Sequence, residues 1–249
     1  MPHLLSDLHI HTIASGHAFN TVDEIFRYAE AEGYSLAGIA DHGPNMEGAP
    51  RPGYFEMLSR LPGMYGRMKV LYGCEANILD TYGRIDVPES FVKTADYVIA
   101  GLHRRTSYSG SGESDNTKAM IAAMCSGKVD IISHPVSLWF RVNVREVVQA
   151  ASVCNVMLES NKTVMLSALA DEDHDVISAY TELFSEAVAF GVSIIFGSDA
   201  HHISEMSFTD KECIIIQERY GLKLYDLINH RPDELLCFLD ERRRTRRET

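Results

Sequence analysis

Three polar side chains alternate with apolar residues near the start of the chain. Residues 6–11 read Ser-Asp-Leu-His-Ile-His, so Asp7, His9 and His11 are spaced two residues apart. In an extended strand the side chains alternate between two faces, and these three would point the same way. Two imidazoles and a carboxylate on one face predict part of a metal site. A strand with a solvated polar face would show the same spacing, so this motif alone does not distinguish a metal site from a solvated strand.

The same residue types return where later apolar, strand-like runs end. These residues are Asp41 and His42 after residues 35–40, Glu75 after 69–74, His103 after 97–102, His134 after 129–133, and Asp199 and His201 after 192–196. His17 lies in the loop after the first run. Seven of the eleven histidines occupy such positions, which random placement would not produce. The count therefore favours a functional site over a solvated strand face.

Helical patterns separate the strand-like runs, and this alternation is typical of βα units around parallel strands. The predicted strands are residues 4–10, 35–40, 69–74, 97–102, 129–133, 155–158 and 192–196. The predicted fold class is therefore α/β, with the candidate site at the carboxyl ends of the strands, where an α/β barrel presents its catalytic residues. The sixth run is followed by Glu159, Ser160, Asn161 and Lys162, which are polar and potentially anion-binding and form no obvious metal set.

Length and composition predict one globular domain. The chain has 249 residues, of which 45% are hydrophobic and 23% charged, so it can bury a large core. We assign residues 1–241 to a single domain and residues 242–249, which contain five arginines, to a disordered basic tail. A weak anion or nucleic-acid contact is the alternative role of this tail. The formal net charge of -12 argues against a nucleic-acid surface held by basic residues.

The cysteines and the apolar runs bear on location. The five cysteines are widely spaced, odd in number and form no Cys-x-x-Cys, which predicts reduced, mostly buried thiols and a cytoplasmic protein. The first residues lack a charged segment followed by a long apolar run, and no apolar stretch reaches about 18 residues. We therefore expect no export signal and no membrane partner.

Six motifs together resemble the PHP superfamily, named for polymerase and histidinol phosphatase, and within it the stand-alone bacterial phosphatases of the YcdX type. The motifs are residues 7–12 followed by His17, residues 40–44 (Ala-Asp-His-Gly-Pro), 73–77 (Gly-Cys-Glu-Ala-Asn), 100–103, 131–135 (Ile-Ile-Ser-His-Pro) and 197–201 (Gly-Ser-Asp-Ala-His). The resemblance covers residues 4–240. It implies a distorted seven-stranded (β/α) barrel, similar to a TIM barrel, that holds three divalent metal ions and hydrolyses phosphoesters.

The resemblance also implies a set of nine metal ligands. The first ion would be held by His9, His11, Glu75 and Asp199, the second by Glu75, His103 and His134, and the third by His17, His42 and His201. Asp7 and Asp41 resemble carboxylates that fix the orientation of ligand histidines, and Asp7 as a direct ligand is the alternative. His3, His174, His202 and His230 fall outside the pattern. Candidate catalytic residues are Glu75 and Asp199, together with His202 as a proton donor.

Phosphoester hydrolysis explains the choice of residues. A site with two metal ions can generate a bridging hydroxide as nucleophile and can neutralise charge on the attacking and leaving oxygens. Imidazole and carboxylate ligands favour Zn, Mn or Fe over Mg. Arg104, Arg105 and Lys162 are candidate contacts for the substrate phosphate.

The predicted function is hydrolysis of a small phosphorylated substrate by a metal-dependent phosphatase. The alternatives are a histidinol-phosphate phosphatase, a 3′–5′ exonuclease-like nuclease and a non-catalytic metal-binding regulatory domain. A nucleic-acid partner is not favoured, because the body of the chain is acidic. The sequence does not indicate an oligomeric state.

Overall fold

Strands and helices alternate along the computed structural model, which describes residues 4–207, 209–222 and 226–248. The strands are β1 (Ser6–Asp7), β2 (Leu36–Ile39), β3 (Met64–Tyr65), β4 (Met68–Tyr72), β5 (Glu75–Asn77), β6 (Ile99–Gly101), β7 (Ile131–Ile132), β8 (Met157–Asn161) and β9 (Ile194–Gly197). The helices are α1 (Val22–Ala31), α2 (Pro52–Met57), α3 (Glu89–Thr94), α4 (Gly112–Cys125), α5 (Val144–Cys154), α6 (Lys162–Ala170), α7 (His174–Phe190), α8 (Asp210–Tyr220) and α9 (Pro232–Glu248).

The strands form two sheets. One sheet has the order β1-β2-β4-β3 and the other the order β5-β6-β7-β8-β9. All neighbouring strands are parallel except β3 and β4, which are antiparallel. The structure therefore confirms the predicted α/β class with a parallel sheet.

The seven-stranded barrel is not confirmed, because the described strands do not close into one ring. The predicted third strand is split: β4 pairs with β2, and after a turn at Gly73 the chain continues as β5, which pairs with β6. A Cβ at Gly73 would lie 2.6 Å from the carbonyl oxygen of Tyr97, so the turn depends on glycine. Single bridges, Ile10 with Ala200 and His42 with Glu75, link the two sheets where ladders would close a barrel.

A compact apolar cluster lies between the sheets. It combines Leu8, Leu36, Ala40, Leu71, Tyr97, Ile99, Ile131, Met157 and Ile195 with Ile228, Leu235 and Leu239 from the end of the chain. The phenol of Tyr97 lies 2.7 Å from the Leu8 carbonyl oxygen and 2.9 Å from that of Ile39. Leu235 and Leu239 belong to the last helix, α9, which therefore packs against the strands.

The predicted disordered tail is wrong for residues 242–248, which belong to α9. Arg242 and Arg246 are buried and both pair with Asp130, just before β7. Leu235, Leu239, Arg242 and Arg246 follow one another at helical spacing, so they share the face that packs onto the strands. Thr249 lies outside the described residues.

The prediction of five reduced cysteines is wrong for one pair. Cys125 at the end of α4 and Cys154 at the end of α5 form a disulfide, with their Cα atoms 5.5 Å apart. Cys74 and Cys213 are buried thiols, whereas Cys237 is exposed. In the described part of the chain, none of the helices has the length and apolar character needed to cross a membrane. The cytoplasmic location stays a prediction.

Candidate metal centre

A buried carboxylate, Glu75 at the start of β5, lies at the centre of the histidine cluster. Its Oε1 is 3.0 Å from Nε2 of His103 and 3.0 Å from Nε2 of His134. Its Oε2 is 2.9 Å from Nδ1 of His42 and 3.3 Å from Nε2 of His9. The two oxygens therefore face different histidines, as expected of a carboxylate shared by two cations.

Asp199 approaches the same cluster from the end of β9. Its Oδ1 is 3.1 Å from Nε2 of His11 and 3.5 Å from Nε2 of His9. The backbone of Asp199 has a positive φ of 54°, a conformation that non-glycine residues rarely adopt and that often marks functional sites. Burial raises the pKa of the Asp199 carboxyl, but the charge of His9 and the His11 hydrogen bond outweigh burial and hold the pKa below its usual value.

The remaining predicted ligands complete the cluster. The ring of His17 stacks at 5.0 Å from that of His42 and 4.8 Å from that of His201. Donor atoms lie within 4.8 Å of one another in three groups, namely His9, His11 and Asp199; His42, Glu75 and His103; and His11, His42 and His201. The structure thus brings all nine predicted ligands together. The first group matches three of the four ligands predicted for the first ion, while His11 and His42 each lie between two groups.

In three imidazoles Nδ1 faces an oxygen atom that can accept its proton. Nδ1 of His9 lies 2.5 Å from Oε1 of Glu159, and Nδ1 of His201 lies 2.9 Å from the carbonyl oxygen of Asp199. Nδ1 of His11 lies 3.0 Å from Oγ of Ser15, whose own hydroxyl donates to Asp41. Each Nδ1 can therefore donate, and in a neutral ring Nε2 would then carry the lone pair that binds metals.

Several buried atoms of the cluster lack a hydrogen-bond partner among the described residues. They are Nε2 of His9, Nδ1 of His42, Nδ1 of His103 and Oε2 of Glu75. Nδ1 of His42 and Oε2 of Glu75 are 2.9 Å apart but are not aligned as a hydrogen bond. A buried polar atom without a partner costs roughly 1–3 kcal/mol, and Nε2 of His9 lies 3.3 Å from Oε2 of Glu75. A divalent cation between these atoms would satisfy both, so the residues present fit bound metal.

Burial and charge move the pKa values of the cluster in opposite directions. Burial raises the pKa of Glu75, but His103 and His9 outweigh it and hold the pKa well below the usual value. Burial lowers the pKa of His9, but Glu159, Glu75 and Asp199 outweigh it and raise the pKa well above the usual value. Burial also lowers the pKa of His11, and the charge of His42 lowers it further. The carboxylates therefore remain ionised, and bound cations would displace a proton from His9.

Asp41 acts on the cluster through hydroxyl groups. It accepts hydrogen bonds from the hydroxyls of Ser15 and Tyr54, both at 2.6 Å, and from the backbone N–H of Thr12 at 2.8 Å. Because Ser15 in turn accepts from His11, Asp41 orients His11 indirectly.

Asp7 contacts main chain instead of an imidazole ring. It accepts from the backbone N–H of His9 at 3.1 Å and of Ser198 at 3.4 Å. Burial raises the pKa of the Asp7 carboxyl to about 6, although these hydrogen bonds oppose the rise. Asp7 thus joins the strand that carries His9 to the loop that carries Asp199.

The sequence reading missed Glu159, the carboxylate that holds His9. Besides the His9 bond, its Oε2 accepts from the backbone N–H of His134 at 2.8 Å and from the side chain of Asn161 at 3.0 Å. A Cβ at Gly197 would lie 1.9 Å from Oε1, so the glycine makes room for this carboxylate. The sixth strand was predicted to end at residue 158, whereas β8 extends to Asn161. Glu159 and Asn161 are two residues apart, and this spacing could have indicated that their side chains share one face of the strand.

A cavity of about 340 Å³ opens above the cluster. Arg104 and Arg105, predicted to contact phosphate, line it and are exposed. Arg105 has a positive φ of 60°, and the guanidinium carbon of Arg104 lies 5.1 Å from the centroid of the Trp139 ring. Both arginines are therefore available to a substrate in the cavity.

Two residues predicted to act on the substrate, Lys162 and His202, lie outside the lining of this cavity. The ammonium of Lys162 donates to the carbonyl oxygens of Glu205 at 2.9 Å and Ser207 at 2.7 Å, and burial lowers its pKa. It holds the loop after β9, so its predicted contact with phosphate is wrong. His202 is exposed, and its Nδ1 lies 2.8 Å from the Ser204 hydroxyl. The structure gives no support to His202 as a proton donor. His3 lies outside the described residues.

The parallel α/β fold and the histidine–carboxylate cluster at its carboxyl edge define a class that comparison with known proteins identifies. The chain belongs to the PHP domain family, whose sequence model matches residues 7–137. A probable phosphatase of Proteus mirabilis (strain HI4320) is 36% identical over 233 residues, which cover 94% of this chain and 93% of the relative.

Solved structures share the fold. A histidinol phosphate phosphatase from Lactococcus lactis, crystallised with zinc, L-histidinol and phosphate, matches with a TM-score of 0.58 over 88% of this chain and 95% of its own. A chain of an archaeal ribonuclease P, determined with mature tRNA, matches with a TM-score of 0.61 over 95% and 90%. Both are 14% identical to this chain and therefore show a common fold only.

Proposed function

We propose that this chain is a metal-dependent phosphoesterase that releases phosphate from a small phosphorylated substrate. The observation that carries the proposal is the set of buried imidazole nitrogens and a carboxylate oxygen without hydrogen-bond partners, gathered around Glu75 beneath an open cavity. Membership of the PHP domain family and the description of the Proteus mirabilis relative as a probable phosphatase support the same class.

The nine clustered residues would hold three divalent ions. His9, His11 and Asp199 would hold the first, His103 and His134 the second, and His17, His42 and His201 the third, with Glu75 shared between the first two. The imidazole and carboxylate donors suit Zn, Mn or Fe. When bound, such ions make water nucleophilic at neutral pH and offset negative charge on the attacking and leaving oxygens.

The side chains around the ions supply position and proton transfer. Glu159 and Ser15 keep Nε2 of His9 and His11 aimed at the centre of the cluster. The Asp199 carboxylate, which lines the cavity and stays ionised, is placed to accept a proton from the attacking water. Arg104 and Arg105 would orient the phosphate oxygens by charge-assisted hydrogen bonds. Water oxygen bonds to phosphorus, the ester P–O bond breaks, and the products are inorganic phosphate and an alcohol.

The proposal is tested by measuring phosphate release from a panel of monoesters with protein that carries Zn, Mn or Fe and with metal-stripped protein. We expect turnover only with metal. Arg104→Ala and Arg105→Ala are the informative variants, because loss of one charge-assisted contact costs roughly 1.5–3 kcal/mol, about a tenfold to hundredfold fall in kcat/KM, with metal content unchanged.

The alternatives predict different outcomes. A nuclease would release nucleotides from single-stranded DNA in preference to phosphate from monoesters. A regulatory metal-binding domain would carry metal and turn over none of the panel. Either result contradicts the phosphatase assignment.

A further inference from the structure

The wall of the cavity differs in charge from the histidine cluster below it. Among the described lining residues, the only carboxylates are Glu75 and Asp199, and both belong to the cluster. The rest of the wall carries the guanidinium groups of Arg104 and Arg105 and otherwise apolar or hydroxyl side chains, among them Leu138, Trp139 and Ser167. This wall therefore contains no carboxylate that could pair with a positive charge on the substrate.

Trp139 is the largest side chain of this wall. It is 61% exposed, although it lies within five residues of His134 and lines the cavity. An indole is among the most favourable surfaces for a flat ligand, because stacking buries large apolar area at little entropic cost. The Arg104 guanidinium already lies over this ring. The indole thus holds the Arg104 guanidinium at the mouth of the cavity, and the exposed part of its ring remains accessible to a ligand.

From this wall we infer that the site selects phosphomonoesters whose alcohol carries a flat, uncharged or anionic ring, and that Trp139 stacks against this ring. Esters whose alcohol carries an ammonium group are disfavoured, because the ammonium would meet Arg104 and Arg105 without a carboxylate partner. The inference rests on the proposed phosphoesterase activity and adds a substrate class to it.

Arg104 links the stacking of the substrate ring to the binding of negative charge. Held at 5.1 Å from the indole centroid, its guanidinium can contact the phosphate or an anionic group on the ring while the ring stacks beside it. An arginine placed by an aromatic ring loses less rotamer freedom when it binds an anion. The reaction itself is the hydrolysis given above, with the proton from water ending on the released alcohol.

Three esters of similar size separate shape from charge. Benzyl phosphate has a flat uncharged ring, cyclohexylmethyl phosphate has a puckered ring, and 4-(aminomethyl)benzyl phosphate adds an ammonium group. We expect kcat/KM to be about twofold to tenfold higher for benzyl phosphate than for the cyclohexylmethyl ester, the effect expected of aromatic stacking. The aminomethyl ester should also be a poorer substrate than benzyl phosphate, because its ammonium group meets Arg104 and Arg105. Trp139→Ala should remove the preference for the flat ring mainly through a higher KM.

Tyr82→Ala is the matched control. Tyr82 is also an exposed aromatic residue, at 84%, but it does not line the cavity, so its removal should leave both preferences unchanged. Trp139→Leu, which keeps apolar volume without an aromatic face, separates stacking from general packing. Equal kcat/KM for all three esters, or an undiminished flat-ring preference in both Trp139 variants, would overturn the inference.

A binding experiment keeps this inference distinct from the proposed activity. Trp139 is the only tryptophan of the chain, so its fluorescence reports directly on the cavity wall. Benzylphosphonate, which cannot be hydrolysed, should quench it and bind about twofold to tenfold more tightly than the cyclohexylmethyl analogue. It should also bind more tightly than the aminomethyl analogue. Selective binding without turnover of any ester would refute the phosphoesterase proposal alone. Turnover without selective binding would refute the substrate class alone.

Discussion

Two buried polar clusters lie at opposite ends of the strands, and they differ in how their atoms are partnered. At the amino ends, Asp130 pairs with Arg242 and Arg246. The guanidinium of Arg246 also donates to the carbonyl oxygens of Val92 at 2.9 Å and Ala95 at 2.7 Å. At the carboxyl ends, buried nitrogens and a carboxylate oxygen have no hydrogen-bond partner among the described residues.

The contrast teaches what each cluster is for. Breaking a buried ion pair leaves an uncompensated charge, so a cluster that supplies its own partners serves the fold. A buried cluster with unpartnered atoms destabilises the metal-free protein and implies a group from outside. We therefore assign the arginine cluster to stability and the histidine cluster to metal binding. Each variant below acts on one cluster and should leave the other unaffected.

The largest expected effect follows from Glu75→Gln. Glu75 contacts histidines on both of its oxygens, whereas His17 is exposed and stacks against the rings of His42 and His201. Losing the shared carboxylate should lower kcat/KM on the order of a thousandfold, since the charge stabilisation provided by bound metal is worth several kcal/mol. His17→Ala should cost less. Comparable losses in steady-state assays, with metal content quantified in both variants, would contradict the shared role of Glu75.

Arg246→Ala should break the opposite cluster. Arg246 is fully buried, and its removal leaves Asp130 with less compensation, at a cost of about 3–5 kcal/mol in the free energy of unfolding. Urea titration measures this loss. Arg244→Ala, an exposed substitution on the same helix, should change stability by less than about 0.5 kcal/mol. An equal effect of the two substitutions would show that α9 is not held by the buried pair.

The buried carboxyl of Asp7 should make the stability of the metal-free protein depend on pH. Its pKa is raised to about 6, so the folded protein binds the proton more tightly than the unfolded chain does. The stabilising contribution of the protonated group is complete below the ordinary value of 3.8 and is lost as the pH rises through about 6. In metal-free protein, Asp7→Asn should therefore raise the unfolding free energy relative to wild type by up to roughly 3 kcal/mol at pH 7.5, and by much less at pH 4.5. A difference that does not change with pH would refute this account.

Glu159→Gln should have the smallest effect of the four. The amide keeps the size of the side chain but loses the charge that holds Nδ1–H of His9, and such supporting contacts are worth about tenfold to hundredfold in metal affinity. Competition with a chelator of known affinity measures the change. Glu218→Gln, an exposed substitution on α8, is the control. Unchanged metal affinity in the Glu159 variant would mean that His9 is oriented by other contacts.

Local pattern was sufficient to predict the convergence of the histidine cluster. Strand-like runs that end in histidine or acid predicted that Asp7, His42, Glu75 and Asp199 would meet, because parallel strands bring their carboxyl ends to one edge. Element boundaries were less accurate, and ending the sixth strand at residue 158 separated Glu159 from the face it shares with Asn161. The split of the third strand at Gly73 depends on contact with Tyr97, which no local pattern contains.

The arginine cluster could not be predicted from composition. Arginines near a terminus are usually solvated, and the partner of Arg242 and Arg246 lies more than 100 residues away at Asp130. The helical spacing of Leu235, Leu239, Arg242 and Arg246 was visible, but the need of a buried carboxylate for two guanidinium groups appears only once the strands are assembled. Lys162 was misassigned for the same reason, since its carbonyl partners come from the loop after β9.

The most direct measurement of the central claim is the number of divalent ions bound per chain. Metal-stripped protein would be reconstituted with Zn, Mn or Fe, freed of excess ion and analysed for elemental content against protein concentration. The account predicts three ions per chain in wild-type protein and in Arg244→Ala, and fewer in Glu75→Gln. Two ions would contradict the assignment of His17, His42 and His201 to a third site. One ion or none would contradict the shared role of Glu75 and the metal-dependent function proposed here.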